Sequence, residues 1–92
     1  MAKELIEVGG GIPFNPTAIT IKKGDTICWK WFSGIHTVTA DDGSFDSGIK
    51  KMDITNAVTF EHVFNTVGTF PYYCKLHGKP GGIGMSGTVI VT

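Results

Sequence analysis

Apolar residues recur at every second position along most of this chain. Ile19 and Ile21 precede a turn signal at Lys23-Gly24-Asp25, after which Ile27, Trp29 and Trp31 alternate with Thr26, Cys28 and Lys30. Val58, Phe60, His62 and Phe64 alternate with Thr59, Glu61 and Val63. Phe70, Tyr72 and Cys74 resume the pattern after Gly68, and Thr88-Val89-Ile90-Val91-Thr92 is a β-branched run. Period-two alternation of β-branched and aromatic residues, bounded by Gly, Asn, Asp or Pro, predicts strands. With a run at Leu5 to Val8 and a short one after His36, the count is about seven short strands. No apolar pattern at helical period supports a helix of ordinary length. The expected fold is therefore all-β, a two-sheet antiparallel sandwich or a small barrel. Ala40 to Ala57, with four Asp and two Gly, breaks the alternation and reads as a surface excursion of loops or one helical turn near Ile49 to Ile54.

Composition narrows the function classes. Ninety-two residues without repeat or linker predict a single domain over 1–92. Eight lysines balance eight acids and there is no arginine, which argues against a nucleic-acid partner and its usual basic stripe. No apolar run reaches the roughly 18 residues of a membrane span, and the opening Met1-Ala2-Lys3-Glu4-Leu5-Ile6-Glu7 lacks the apolar core of a signal peptide. Charge is uneven along the chain: residues 41–61 hold five acids against two lysines, whereas 62–92 hold only Lys75 and Lys79.

The candidate chemistry gathers in His36, Cys74, His77 and Met85. Cys74-Lys75-Leu76-His77 is a C-x-x-H spacing where a strand is expected to give way to a Gly/Pro-rich loop, Gly78 to Gly84, which leads to Met85 and the last strand. His36 follows the Trp-rich strand. One thiolate and two imidazoles with a weak thioether are the donors of a blue-copper electron-transfer site, whereas zinc prefers a third strong N or S donor to a thioether. Plainer readings stand beside this one. Cys28 and Cys74 suit an inter-sheet disulfide, as in immunoglobulin domains, and Cys28, His36, Cys74 and His77 suit a zinc site. Cys28 alone reads as a buried small hydrophobe, His62 as a structural histidine, Met85 as a core methionine, and Lys75 and Lys79 as solvated charges.

From Ile12 to Thr92 the chain resembles the cupredoxins, the type I blue-copper proteins of the plastocyanin and pseudoazurin kind. The resemblance is carried by Phe14-Asn15-Pro16, by Ile19-Thr20-Ile21-Lys22-Lys23-Gly24-Asp25-Thr26-Ile27 with Trp29, and by His36-Thr37-Val38. It continues in Phe70-Pro71-Tyr72-Tyr73-Cys74, His77-Gly78 and Met85-Ser86-Gly87-Thr88-Val89-Ile90-Val91. Three features depart from the family pattern. Thr37 stands where an Asn often follows the first ligand, Phe32 to Ile35 lack the family's frequent Asn and Asp, and seven residues rather than a few separate His77 from Met85.

The resemblance implies a Greek-key β-sandwich with copper between loops at one end, held by His36, Cys74 and His77 as strong ligands and Met85 as the axial one. It implies a monomeric one-electron carrier, not an enzyme, that cycles Cu(II) and Cu(I) outside the cytoplasm or in a periplasm. Donor and acceptor proteins would dock near the edge of His77, on an apolar patch from Leu76, Pro80 and Ile83, with Lys75 and Lys79 steering an acidic partner. Two other functions remain open: a copper site reactive toward a small molecule such as nitric oxide or nitrite, and a copper carrier or storage protein.

Overall fold

The computed structural model describes residues 2–92 and contains strands and turns but no helix among them. The strands are β1 (Lys3–Val8), β2 (Phe14–Asn15), β3 (Ala18–Ile21), β4 (Thr26–Trp31), β5 (Ile35–His36), β6 (Thr39–Ala40), β7 (Lys50–Lys51), β8 (Thr59–Val63), β9 (Gly68–Lys79) and β10 (Ile83–Val91). One sheet has the order β2-β1-β4-β8, the other β3-β10-β9-β6, and β5 pairs with β7 apart from both. The expected strands are all present. The additional ones are two-residue pairings, too short to alternate visibly.

Period two decides which face of each strand is inside. On β4, Ile27, Trp29 and Trp31 are buried while Thr26, Cys28 and Lys30 stay half-exposed. Trp29 meets Tyr72 of the opposite sheet edge-on at 5.4 Å, and Phe14 meets Tyr72 at 4.8 Å. Phe45, from the irregular middle of the chain, packs at 5.6 Å against Trp29 and seals the aromatic core. A buried ring of this size removes about 150–250 Å² from water, worth about 4–6 kcal/mol before chain entropy is counted.

The turn Lys22 to Asp25 forms as its residues dictate. Gly24 takes φ +95° and the Asp25 N–H donates to the Lys22 carbonyl at 3.0 Å. The Asp25 carboxylate accepts the Ala2 and Lys22 N–H groups, each at 3.0 Å, so it ties the start of β1 to this turn. Those two bonds hold its carboxyl below the ordinary aspartate range. From there β1 and β4 run parallel, Lys3 beside Thr26 to Val8 beside Trp31. They release their following loops together at the far end of the sandwich.

Two expectations are corrected. Residues 49–54 contain no helical turn: Lys50 and Lys51 pair with His36 and Ile35, and the Met52 N–H donates to the Gly34 carbonyl. Backbone pairing with the His36 strand outcompetes an isolated turn, which would close few hydrogen bonds of its own. Nor is 78–84 an open loop. Strand β9 continues through His77 to Lys79 and pairs with β10 by Gly78–Gly84 and Lys79–Ile83, leaving Pro80-Gly81-Gly82 as the tip. Pro80 sets φ near −65° and Gly81 takes φ +90°, as a type II turn demands.

Candidate metal centre

The β9–β10 register builds the site. Gly84 pairs with Gly78 and Ser86 with Tyr73, so Cys74, Lys75, Leu76 and His77 stand opposite the single residue Met85. An irregularity of this kind re-aims side chains at the rim of a sheet. Here it turns Cys74 and His77 toward one point and sets Met85 beside them. His36 arrives from β5, held by the β7 pairing behind it.

His36, Cys74 and His77 offer donor atoms that lie within 4.8 Å of one another. The two Nδ1 atoms are 3.2 Å apart, and Cys74 Sγ is 3.9 Å from His36 Nδ1 and 3.5 Å from His77 Nδ1. Donors about 2.0–2.3 Å from one first-row ion, at tetrahedral to trigonal angles, stand about 3.3–3.8 Å apart. The three atoms are thus placed to share an ion with little movement. His36 Nε2 is 2.9 Å from the Ser33 carbonyl. Only a protonated Nε2 can donate there, which leaves the Nδ1 lone pair turned to the site. Burial lowers the His36 pKa and the nearby His77 adds to that, while the Ser33 bond opposes them. The ring is also packed tightly: a Cβ on Gly34 would come within 2.6 Å of Nε2, and one on Gly9 within 3.0 Å.

Thr37 fastens the first-ligand segment to the Cys74 strand. Its backbone N–H donates to Cys74 Sγ at 3.4 Å, and its Oγ1 accepts the Lys75 N–H at 2.9 Å. The same hydroxyl meets Thr39 Oγ1 at 2.9 Å, and Thr39 donates to Asp46 at 3.1 Å. Asp46 also accepts the Gly48 N–H at 2.9 Å and pairs with the Lys75 ammonium at 2.8 Å. The Lys75 bond does most to hold the Asp46 carboxyl below its ordinary range, and Asp46 in turn raises the Lys75 pKa. The threonine that departs from the family pattern therefore does by hydroxyl what an amide side chain would do.

Cys74 is buried and His77 exposed. Met85, 6% exposed, lines with both histidines a recess of about 430 Å³ whose opposite wall is Gly9, Gly11, Ile12 and Pro13. The other sequence candidates lie elsewhere. Cys28 and Cys74 are both free, which overturns the disulfide. Cys28 is half-exposed rather than buried, between Leu5 and Glu61 on the outer face of its sheet, and has no part in the cluster. Desolvation and the neighbouring Glu61 push its thiol up. His62 packs at 4.8 Å on Phe45 and at 4.9 Å against Phe64, away from the donors. Sequence reasoning missed Ser33, Asp46 and the wall from Gly9 to Pro13; only the run Gly9-Gly10-Gly11 signalled a close backbone approach there.

The comparisons with known proteins converge on the same chemistry. Residues 3–92 match the family described as copper binding proteins, plastocyanin/azurin family. Plastocyanin of Scenedesmus fuscus is 33% identical over 90 residues, covering 89% of each chain. Halocyanin of Natronomonas pharaonis is 33% identical over 84 residues, which are 88% of this chain and 49% of that protein. Among solved structures, a purple cupredoxin from Nitrosopumilus maritimus superposes with a TM-score of 0.76 at 26% identity, covering 97% of this chain and 99% of that one. An oxidised amicyanin variant superposes at 0.77 and 20% identity, covering 97% and 81%, a likeness of fold. With two imidazoles and a thiol converging in a two-sheet sandwich, and the match running from the first strand to the last residue, this chain belongs to the plastocyanin/azurin family of copper binding proteins.

Proposed function

We propose that the chain is a one-electron carrier whose single copper ion is held by His36 Nδ1, Cys74 Sγ and His77 Nδ1, with the Met85 thioether as a weak fourth donor. The observation that carries this reading is the convergence of those three atoms at 3.2–3.9 Å. Copper bound there supplies a Cu(II)/Cu(I) couple, and soft sulfur donors select it. The protein's own part is to hold the donors still. Ser33 fixes the His36 tautomer, Thr37 orients the Cys74 sulfur, and the β9–β10 ribbon carries Cys74, His77 and Met85 on one rigid unit. Such outer hydrogen bonds and a fixed scaffold limit rearrangement between oxidation states.

His77 is the exposed edge through which electrons pass. Leu76 and Ile83, both about half exposed, frame it with an apolar collar suited to brief, weak encounters. The working location is extracytoplasmic, a reading supported by relatives that include chloroplastic plastocyanins. The recess beside His36, His77 and Met85 favours a second reading, in which a small molecule such as nitric oxide or nitrite reaches the donors. A shift of the visible spectrum on adding either would support it.

Substitution tests the ligand set. Cys74→Ser should abolish the intense visible absorption of the copper-loaded protein while a β-type circular dichroism spectrum remains; retained colour would remove the thiolate from the site. Met85→Leu should keep the colour and raise the reduction potential. An unaltered spectrum and potential would exclude Met85.

A further inference from the structure

The chain has no net charge, so electrostatic guidance of a partner comes from how charges are arranged around the site. Lys75 and Lys79 are the cations nearest His77 in sequence, but their flank carries no cationic excess. The Lys75 ammonium is paired with Asp46 at 2.8 Å. The hairpin tip beside Lys79 is bonded to Asp41, whose carboxylate accepts the Gly81 N–H at 2.9 Å.

The flank behind His36 differs. Lys50 and Lys51 pair through their backbones with His36 and Ile35, one strand away from the donor ring. Lys30 lies over the Phe32 ring at 5.5 Å. One shallow recess includes Lys30, Phe32 and Ile54, another Lys51 and Ile54, and the two share Met52 and Asp53, so the surface is continuous; half-buried Lys50 and the partly open Ile35 adjoin it without lining either recess. Asp53 lines it and stays an anion while accepting the Thr55 N–H and hydroxyl at 2.8 and 2.7 Å, and Glu7 stands beside Lys30 on the neighbouring strand, so the flank sets three lysines against two acids. Neither recorded ion pair among the described residues uses any of the three lysines. The apolar side chains between them are unusually open: Ile54 is 90% exposed, Ile35 43% and Phe32 41%. Large open isoleucines interspersed with unpaired lysines mark an interaction surface rather than an ordinary solvated face.

We propose that this flank docks an acidic redox protein and orients it with Lys30, Lys50 and Lys51, rather than with Lys75 and Lys79. The proposal rests on the electron-carrier reading. It assigns the partner's charge and the side from which that partner approaches.

The test is nuclear magnetic resonance of the ¹⁵N-labelled protein, reduced and copper-loaded, and again without added metal. Two probes are used: the paramagnetic trianion hexacyanochromate(III), and cytochrome c made acidic by succinylation, with native basic cytochrome c as control. Line broadening and shifts should centre on Phe32, Ile35 and residues 50–54 with both anionic probes and be absent with the control. Combined Lys50→Glu and Lys51→Glu should weaken binding of succinylated cytochrome c at least tenfold at low salt, with amide dispersion showing an intact fold. Lys75→Glu should change it less than twofold. Effects centred on residues 75–79, unaltered binding by the double variant, or self-association through this flank would overturn the proposal. The map is read without copper as well, so a protein that docks the probes there but shows no reversible copper couple would count against the carrier reading and not against the surface.

Discussion

Thr37 shows how much of the site hangs on single polar atoms. Its hydroxyl accepts the Lys75 N–H and meets Thr39, both at 2.9 Å, in a buried position, while its backbone N–H alone reaches Cys74 Sγ. Thr37→Val keeps the shape and removes the hydroxyl. It should cost about 1–3 kcal/mol in urea denaturation, because a buried donor loses its partner, while the thiolate–copper band survives through the untouched N–H. Equal stability would place the hydroxyl outside the network. The cluster of His36, Cys74 and His77 was legible in the sequence because Cys and His are scarce here and their spacing is specific. Their supports were not: Ser33 and Asp46 are common residue types, and the Asp46–Lys75 pair joins positions 29 apart in sequence. That unseen pair is why Lys75 read as a steering charge. Cys28 misled differently: alternation already set it on the polar face with Thr26 and Lys30, and the usual burial of a lone cysteine was weighed above that position.

At the scale of elements, the long alternating strands were readable because each buries one face, and their ends fall near the expected turns. The two-residue strands β5 and β7 were not, because their pairing is decided by distant partners rather than by local pattern. The ligand hairpin was read as a loop for the same reason, its four glycines masking a paired ribbon. Gly78, like its partner Gly84, leaves the hairpin no room for a side chain: a Cβ at Gly78 would lie 2.5 Å from the Met85 carbonyl and 2.8 Å from that of Ile83. Gly78→Ala should therefore destabilise the protein by about 1–3 kcal/mol, the usual range for forced overpacking. Because the strain falls on the ribbon carrying Cys74, His77 and Met85, it should also speed copper loss to a chelator. Pro80→Ala at the tip should change that rate little. Equal rates for the two variants would deny the ribbon its role in holding the donors.

The molecule as a whole carries a pH dependence distinct from the copper site. His62 sits between Phe45 and Phe64, and burial lowers its pKa below the ordinary value near 6.5. The fold thus prefers the neutral ring. Its contribution to stability is complete above about pH 6.5 and is lost as pH falls through the lowered folded value. Asp25 and Asp46, whose carboxyls are held low, keep their contributions to more acid pH and lose them only below the ordinary aspartate value of 3.8. His62→Gln should flatten the fall of melting temperature between pH 6.5 and 4.5 in protein without added metal. Parallel curves for the two proteins would show that His62 does not titrate against the core.

The central claim, a copper-thiolate site built from His36, Cys74 and His77, is tested most directly by the visible absorption spectrum during titration with Cu(II), followed by dithionite. Intense bands between about 400 and 650 nm should grow to one equivalent of copper, stop there, and bleach on reduction. A protein that stays colourless through the titration would contradict the account.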